Sequence, residues 1–302
     1  MDIKESYDVV VVGGGAAGLS AALVLGRSRR SVLVIDAGEP RNAGAGHMHN
    51  YLGREGATPA ELLTAGREEV GRYGVEVRSG RVVSAVRTGG GFALGLEDGG
   101  SVSARRLVLA TGVVDELPQV PGLEERFGRD VLHCPYCHGW EVADSPLGVV
   151  ASGADCVERA LLFRQWSEDV VILLNGRPAP QGEDAERLAA RGIRWVPGRI
   201  ARVVVEDDAV TGVELAGGEF VPRAALVVTT VPTPDTTLLD AVGGPEAPGV
   251  KVVGNAATPY GGVISSAADG MVAGTLINHD LLLEETAAAV AEYRNTPKGR
   301  AA

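Results

Sequence analysis

Cys134 and Cys137 stand two residues apart in the string His133-Cys134-Pro135-Tyr136-Cys137-His138-Gly139-Trp140-Glu141. Cysteines at this spacing can close a disulfide across one turn and pass two electrons as a thiol pair. The attacking species is a thiolate, and a CxxC at a helix start has one thiol acidified by the N-terminal N–H groups. His138, with an unperturbed pKa of about 6.5, is suited to take protons from thiols. The same residue types leave a zinc reading open, with Cys134, Cys137 and two of His47, His49, His133 and His138 as ligands. Against it, His133 and His138 crowd the loop and no second CxxC exists, so no metal is expected. His133 also fits a polar residue at a helix entry, and His47 and His49 fit turn caps ahead of Asn50 or groups near a bound cofactor. Cys156 reads as a small buried apolar residue. Trp140 reads as core or as a stacking surface for an apolar substrate.

Two nucleotide-binding patterns surround this motif. Residues 7–12 are β-rich, Gly13-Gly14-Gly15-Ala16-Ala17-Gly18 follows, and 19–25 reads as an apolar helix before strand 31–35 and Asp36. In this strand–turn–helix–strand context the glycines allow a tight turn and close approach of a pyrophosphate to the helix N-terminus. Asp36 would take the ribose hydroxyls of an adenosine, while the plain alternative is that the glycines only pack helix on strand. Residues 107–109 form another buried strand, ending in Ala110-Thr111-Gly112, and 117–122 reads as a linker. A second unit repeats the order: strand 147–150, turn 151–156, helix 157–166 and strand 170–174. Residues 82–86, 92–96 and 203–215 look like attached meanders, 232–234 like a return linker, 250–254 like a strand and 265–283 like a final helix.

The 302 residues suffice for two domains whose cores need no disulfide support. A net charge of −11 argues against nucleic acid or an anionic membrane as partner. No signal-peptide pattern or membrane-spanning apolar run is visible. Three cysteines fit a reducing compartment, so a soluble, cytoplasmic protein is expected.

The motifs GGGAAG, LVLATG, CxxC and GNAATPYGGVISSAADG together resemble the low-molecular-weight thioredoxin reductase family over nearly the whole chain. That resemblance implies an α/β fold with two Rossmann-like nucleotide-binding domains, the second inserted into the first. The FAD-binding domain would comprise residues 1–117 and 233–302, and the inserted NAD(P)H-like domain, carrying the CxxC, residues 118–232. It also implies FAD contacts at Gly13, Gly15, Gly18, Asp36, Ala37, Arg41, Asn50, Val83, Ala110, Thr111, Gly112, Gly254, Asn255, Val263 and Ile264, and a homodimer built through the FAD domains. CPYC is the glutaredoxin active-site string too, but there it follows the first strand of a small thioredoxin fold rather than a nucleotide-binding half.

Departures from the family pattern set the expected direction of electron flow. The second turn, expected as GxGxxA or GxGxxG, is Ala151-Ser152-Gly153-Ala154-Asp155-Cys156. Alanine adds a Cβ where the turn wants unrestricted φ. Where such reductases place a His-Arg-Arg cluster for the 2′-phosphate, this chain has Asn175-Gly176-Arg177-Pro178-Ala179-Pro180, a single arginine. NADPH is therefore not expected as a cofactor. The family aspartate after the second cysteine is His138, and an Arg-Gln pair near the flavin is Gly261-Gly262. These changes look like the flavin dithiol oxidases of disulfide natural products, the gliotoxin and holomycin type. By that resemblance Cys137 faces the flavin, Cys134 exchanges with substrate, and His138 is the third catalytic residue. The expected partners are a small-molecule dithiol of secondary metabolism and O2, which would be reduced to H2O2. Two alternatives stand: an NAD(P)H-dependent disulfide reductase acting on a small protein such as thioredoxin, and a flavin-bound redox sensor.

Overall fold

The computed structural model describes residues 4–153 and 155–295. Strand β1 (Ser6–Val12), helix α1 (Ala16–Arg27) and strand β2 (Val32–Asp36) open the chain. Helix α2 (Pro59–Gly71) and strands β3 (Glu76–Ser79), β4 (Val82–Thr88), β5 (Gly91–Leu96) and β6 (Ser101–Leu109) follow. β1 is a run of four valines, and strand alternation sends them to opposite faces of the sheet. Val9 and Val11 pack with Ala21, Ala22 and Leu25 of α1, while Val10 and Val12 pack with Phe92 and Leu94 of β5. Both faces are thus covered, which is why the 9–12 run is apolar throughout; each such side chain fully buried contributes about 1.5–3 kcal/mol.

The next strands are β7 (Val114–Glu116) and β8 (Val131–Leu132), then the short helix α3 (Pro135–His138). β9 (Leu147–Val150), α4 (Cys156–Phe163), β10 (Val170–Leu173), α5 (Glu183–Ala190) and β11 (Arg194–Val196) form the second strand–helix–strand run. An antiparallel meander of β12 (Ile200–Glu206), β13 (Ala209–Leu215) and β14 (Phe220–Pro222) precedes β15 (Ala225–Val227). Residues 232–234, expected as a linker, instead contribute to β16 (Val231–Thr233), which pairs with β7. Helix α6 (Thr237–Ala241), strand β17 (Val250–Val252) and helix α7 (Val263–Asn295) complete the chain. α7 runs twelve residues beyond the expected end at 283, because Glu284-Glu285-Thr286-Ala287-Ala288-Ala289 contains strong helix formers and no breaker.

The first sheet has the order β3-β2-β1-β6-β5-β4, with β17 also on β6; β3, β2, β1, β6 and β17 are parallel. The second has the order β11-β10-β9-β15-β8 and is parallel throughout. Two parallel sheets with crossover helices make an α/β fold of two Rossmann-like halves. The chain forms two compact units, one of Met1–Arg41, Ala60–Val114 and Pro234–Ala302, the other of Asn42–Pro59 and Asp115–Thr233. Segment 42–59, expected from sequence within the FAD-binding domain, groups with the unit that carries the cysteines. Among the described residues no helix is long and apolar enough to cross a membrane.

Candidate active site

In the first unit, sheet register brings the nucleotide-type residues to one edge. Val12 is paired with Ile35 and with Leu109, and Leu109 with Val252. Gly13, Asp36, Ala110 and Val253 therefore leave the carboxyl ends of adjacent parallel strands together, where such sheets bind ligands. The Gly13 N–H donates to the Ile35 carbonyl at 2.8 Å, and its φ of +105° is one that side chains rarely adopt. A Cβ there would lie 2.3 Å from the Ala110 carbonyl oxygen, and one on Gly18 would lie 1.9 Å from the Gly13 oxygen. Both glycines are therefore required by close backbone approach.

Nothing lies within 4 Å of a Cβ built on Gly15, and no side chain caps α1 there. The first-turn N–H groups of α1 therefore have no side-chain cap, and helix-start N–H groups are a donor set matched to a pyrophosphate. Asp36 closes the turn: its Oδ1 accepts from the Gly14 N–H at 3.1 Å and its Oδ2 from Arg67 at 2.8 Å. Arg67, on α2, carried no sequence signal. Gly254 (φ +64°) follows β17, and Asn255 donates to the Gly261 carbonyl at 2.8 Å. Val263 and Ile264 begin α7, and Arg41 donates to the Pro259 carbonyl at 2.6 Å. Ala37 and Thr111 are exposed beside their strand ends, Gly112 has φ +70°, and Val83 is half exposed on β4. The free helix N-terminus, the close glycine turn and the acid at the end of β2 fit the pyrophosphate and ribose of FAD. Asn50 is elsewhere, in the second unit, with its amide on the Tyr136 carbonyl at 2.5 Å.

In the second unit, Cys134 is the extended N-cap residue of α3 and Pro135 its first helical residue. A proline at that position has no N–H to leave unpaired and is preset in φ. The His138 N–H reaches the Cys134 carbonyl at 3.2 Å, closing the turn, and Cys134 and Cys137 form a disulfide with Cα atoms 5.3 Å apart. Among the described residues no group of three or more His, Cys, Asp or Glu could hold a metal ion. His133 packs its ring on Phe127, with centroids 5.4 Å apart, and its carbonyl accepts from Arg159.

His138 differs from its neighbours. Both ring nitrogens are shut from solvent without a hydrogen-bond partner. Burial pushes its pKa below the ordinary histidine value; Glu141 opposes that shift and His49 adds to it. The ring lines a cavity of about 300 Å³ together with His47, His49, Arg129 and Glu141. His49, weighed from sequence as a turn cap, instead stands between two acids: its Nδ1 is 2.6 Å from Glu55 and its Nε2 3.2 Å from Glu141. Glu55 and Glu141 were not singled out from the sequence; Glu141 lies three residues after His138, in the turns beyond the end of α3. Trp140 is no core residue, being 81% exposed. Trp166, not singled out, is the half-buried partner of the motif, edge-on to Tyr136 at 5.8 Å.

Of the second nucleotide turn, between β9 and α4, Ala154 lies outside the described residues. Ala151 is buried and Asp155 is the N-cap residue of α4. The Asp155 carboxylate accepts from Thr229 at 2.8 Å and Arg159 at 2.9 Å. Burial works against its charge, but those donors prevail and hold its pKa below the usual aspartate value. Arg177 donates to the Ser152 carbonyl, across the turn. Burial pushes the Cys156 thiol up, helped by Asp155.

Residues 7–259 match the family model described as pyridine nucleotide-disulphide oxidoreductase. The chain belongs to that family. Its structure is similar to the crystal structure of HlmI, at 43% identity and TM-score 0.92 over 97% of this chain and 98% of that one. It is also similar to an oxidoreductase from Agrobacterium tumefaciens, at 36% identity and TM-score 0.86 over 92% and 99%. Among curated proteins it is 36% identical to thioredoxin reductase tcpT of Claviceps purpurea, over 61% of this chain and 60% of that protein. It is 35% identical to a probable thioredoxin reductase of Arthroderma benhamiae over 57% and 45%. The matched regions thus span about half the length of these two relatives. This family member is similar to thioredoxin reductases, and the α/β fold expected from sequence is borne out.

Proposed function

We propose that the chain is an FAD-dependent dithiol oxidase, forming an intramolecular disulfide in a small-molecule dithiol with oxygen as acceptor. The observation that carries this is His138: a buried imidazole, neutral at pH 7 because burial lowers its pKa, directly after Cys137. A neutral base in that place takes protons from thiols, as oxidation requires; an acid would supply them for reduction.

His138 removes the proton from a substrate thiol, and the thiolate attacks the Cys134 sulfur. Cys137 leaves as a thiolate. The second substrate thiol then displaces Cys134, releasing the product disulfide. FAD, when bound, supplies the two-electron acceptor for the Cys134–Cys137 dithiol, and oxygen takes those electrons on as H2O2. The residues that would hold it are Gly13, Gly15, Gly18, Asp36 and the 110–112 and 254–264 segments.

Asp155 and Arg177 at the second turn support the same direction. A carboxylate at the entry of α4 repels a nucleotide pyrophosphate, and Arg177 is engaged by Ser152 instead of being free for a 2′-phosphate. The relatives named thioredoxin reductase favour the second reading, NAD(P)H-dependent disulfide reduction. The partners we propose are a small dithiol and O2, without nucleic acid or membrane, in a cytoplasmic homodimer. Aerobic incubation with a small dithiol tests the function: one H2O2 should appear per disulfide formed. Oxidation without peroxide would remove oxygen from the scheme.

A further inference from the structure

Trp140 is the largest exposed apolar side chain of the second unit. Its indole is 81% exposed, and Tyr136, between the two cysteines, is 65% exposed. Taking such rings out of water is favourable, yet the fold leaves both uncovered. Apart from Leu52, the other exposed large apolar side chains described in this unit lie on α4, β12, β14 and β16. Leu52 is 93% exposed and stands two residues after Asn50, whose amide holds the Tyr136 carbonyl. The largest uncovered apolar groups are therefore on the redox turn or on the segment tied to it.

The backbone on either side of Trp140 is anchored. The Trp166 ring lies against Gly139, where an added Cβ would come within 2.9 Å of it. Tyr136 meets the same ring edge-on, and the Asp144 N–H donates to the Trp166 carbonyl at 2.9 Å. Trp140 thus stands between two fixed positions with its own ring in solvent. Helical hydrogen bonds join the His138 N–H to the Cys134 carbonyl at 3.2 Å and the Gly139 N–H to the Pro135 carbonyl at 2.7 Å. At ~1.5 Å of rise per residue, the Trp140 backbone lies roughly 9 Å along this turn from Cys134. One molecule of one or two fused rings bridges such a span. Both cysteines are only half-buried, so their disulfide is open to it.

The size and charge of the patch define its occupant. Aromatic side chains bury about 150–250 Å² each, so even with Leu52 counted alike the patch stays below the ~800 Å² that each side of a standard protein interface covers. It suits a small molecule. Glu141 and Asp144, exposed in the turns around Trp140, and the net charge of −11 disfavour an acidic thiol. A flat ring stacks on an indole. We propose that Trp140, with Tyr136, is the specificity-determining surface of the dithiol site, and that the substrate carries its thiols on a flat, apolar frame without acidic groups. This rests on the dithiol oxidation proposed above and names its substrate class. The bound dithiol becomes a cyclic disulfide while the Cys134–Cys137 disulfide becomes a dithiol, so two electrons and two protons pass from one sulfur pair to the other.

The test compares two dithiols that both close six-membered disulfide rings: ortho-benzenedimethanethiol, on a flat aromatic frame, and dithiothreitol, on a hydroxylated chain. Flavin-loaded protein is mixed anaerobically with each, quenched in acid, alkylated and read by peptide mass for reduced Cys134 and Cys137. If neither dithiol reduces the wild type, the parent function fails and the proposal with it. If the wild type is reduced, its preference is the ratio of the two second-order rate constants. Trp140→Ala should lower that preference at least about tenfold, or about 1.4 kcal/mol, the scale of one lost aromatic stack. The loss should lie in the half-saturating concentration of the aromatic dithiol, with its limiting rate within about twofold, and Trp140→Phe should recover most of it. Both variants change an exposed side chain and should fold. An unchanged preference in Trp140→Ala, a loss confined to the limiting rate, or a faster reaction with reduced thioredoxin that Trp140→Ala abolishes overturns the proposal.

Discussion

The side-chain amide of Asn50 donates to the backbone carbonyl of Tyr136, inside the CxxC turn, at 2.5 Å. It does so from a left-handed backbone, φ +62°, which asparagine tolerates better than most residues. The redox turn is therefore tied to segment 42–59 within the second unit. Asn50→Gly keeps the backbone and loses the bond; Asn50→Ala loses the bond and adds strain. Thermal melts should show a fall of a few degrees in Asn50→Gly, from about 1 kcal/mol for the bond, and a larger fall in Asn50→Ala.

Steric need separates the glycines of the first turn. Gly18→Ala places a Cβ 1.9 Å from the Gly13 oxygen and should yield protein without bound flavin, read from visible absorbance. Gly15→Ala meets nothing within 4 Å and should fold normally by circular dichroism. Loss of flavin from folded Gly15→Ala alone would show that the cofactor approaches that backbone.

Burial of His138 links stability to pH. Its folded pKa lies below the unfolded value near 6.5, so above that pH the ring is neutral in both states and contributes no pH dependence. As pH falls from about 6.5 towards the folded value, the unfolded chain binds a proton that the folded one does not, and stability declines. His138→Asn should remove that part of the slope. Urea midpoints of both proteins between about pH 7 and pH 5.5 check the sign.

Cys156 should behave as an inert thiol. With Cys134 and Cys137 joined, it is the one free cysteine of three, and burial raises its pKa. Alkylation of the oxidised protein should be slow at neutral pH while folded and should reach one thiol per chain in urea, counted by mass.

What could be read from the chain follows from the range of each interaction. The β1–α1–β2 unit was legible because its signals are local: a run of valines, glycines that a turn needs, and an acid at the strand end. The disulfide pair and His138 were legible for the same reason. The His49–Glu141 contact spans segments far apart in sequence, as does the Arg67–Asp36 pair, and no spacing rule reaches across such distances. Trp140 and Trp166 show the same limit. Nothing local says that the tryptophan inside the motif is exposed while a distant one, from the end of α4, packs on Tyr136.

Direction of electron flow is the central claim, and anaerobic stopped-flow absorbance of the flavin tests it most directly. The flavin should bleach rapidly on mixing with a small dithiol and stay oxidised with NADPH or NADH. Rapid bleaching by either nicotinamide nucleotide would contradict the account and return the protein to disulfide reduction.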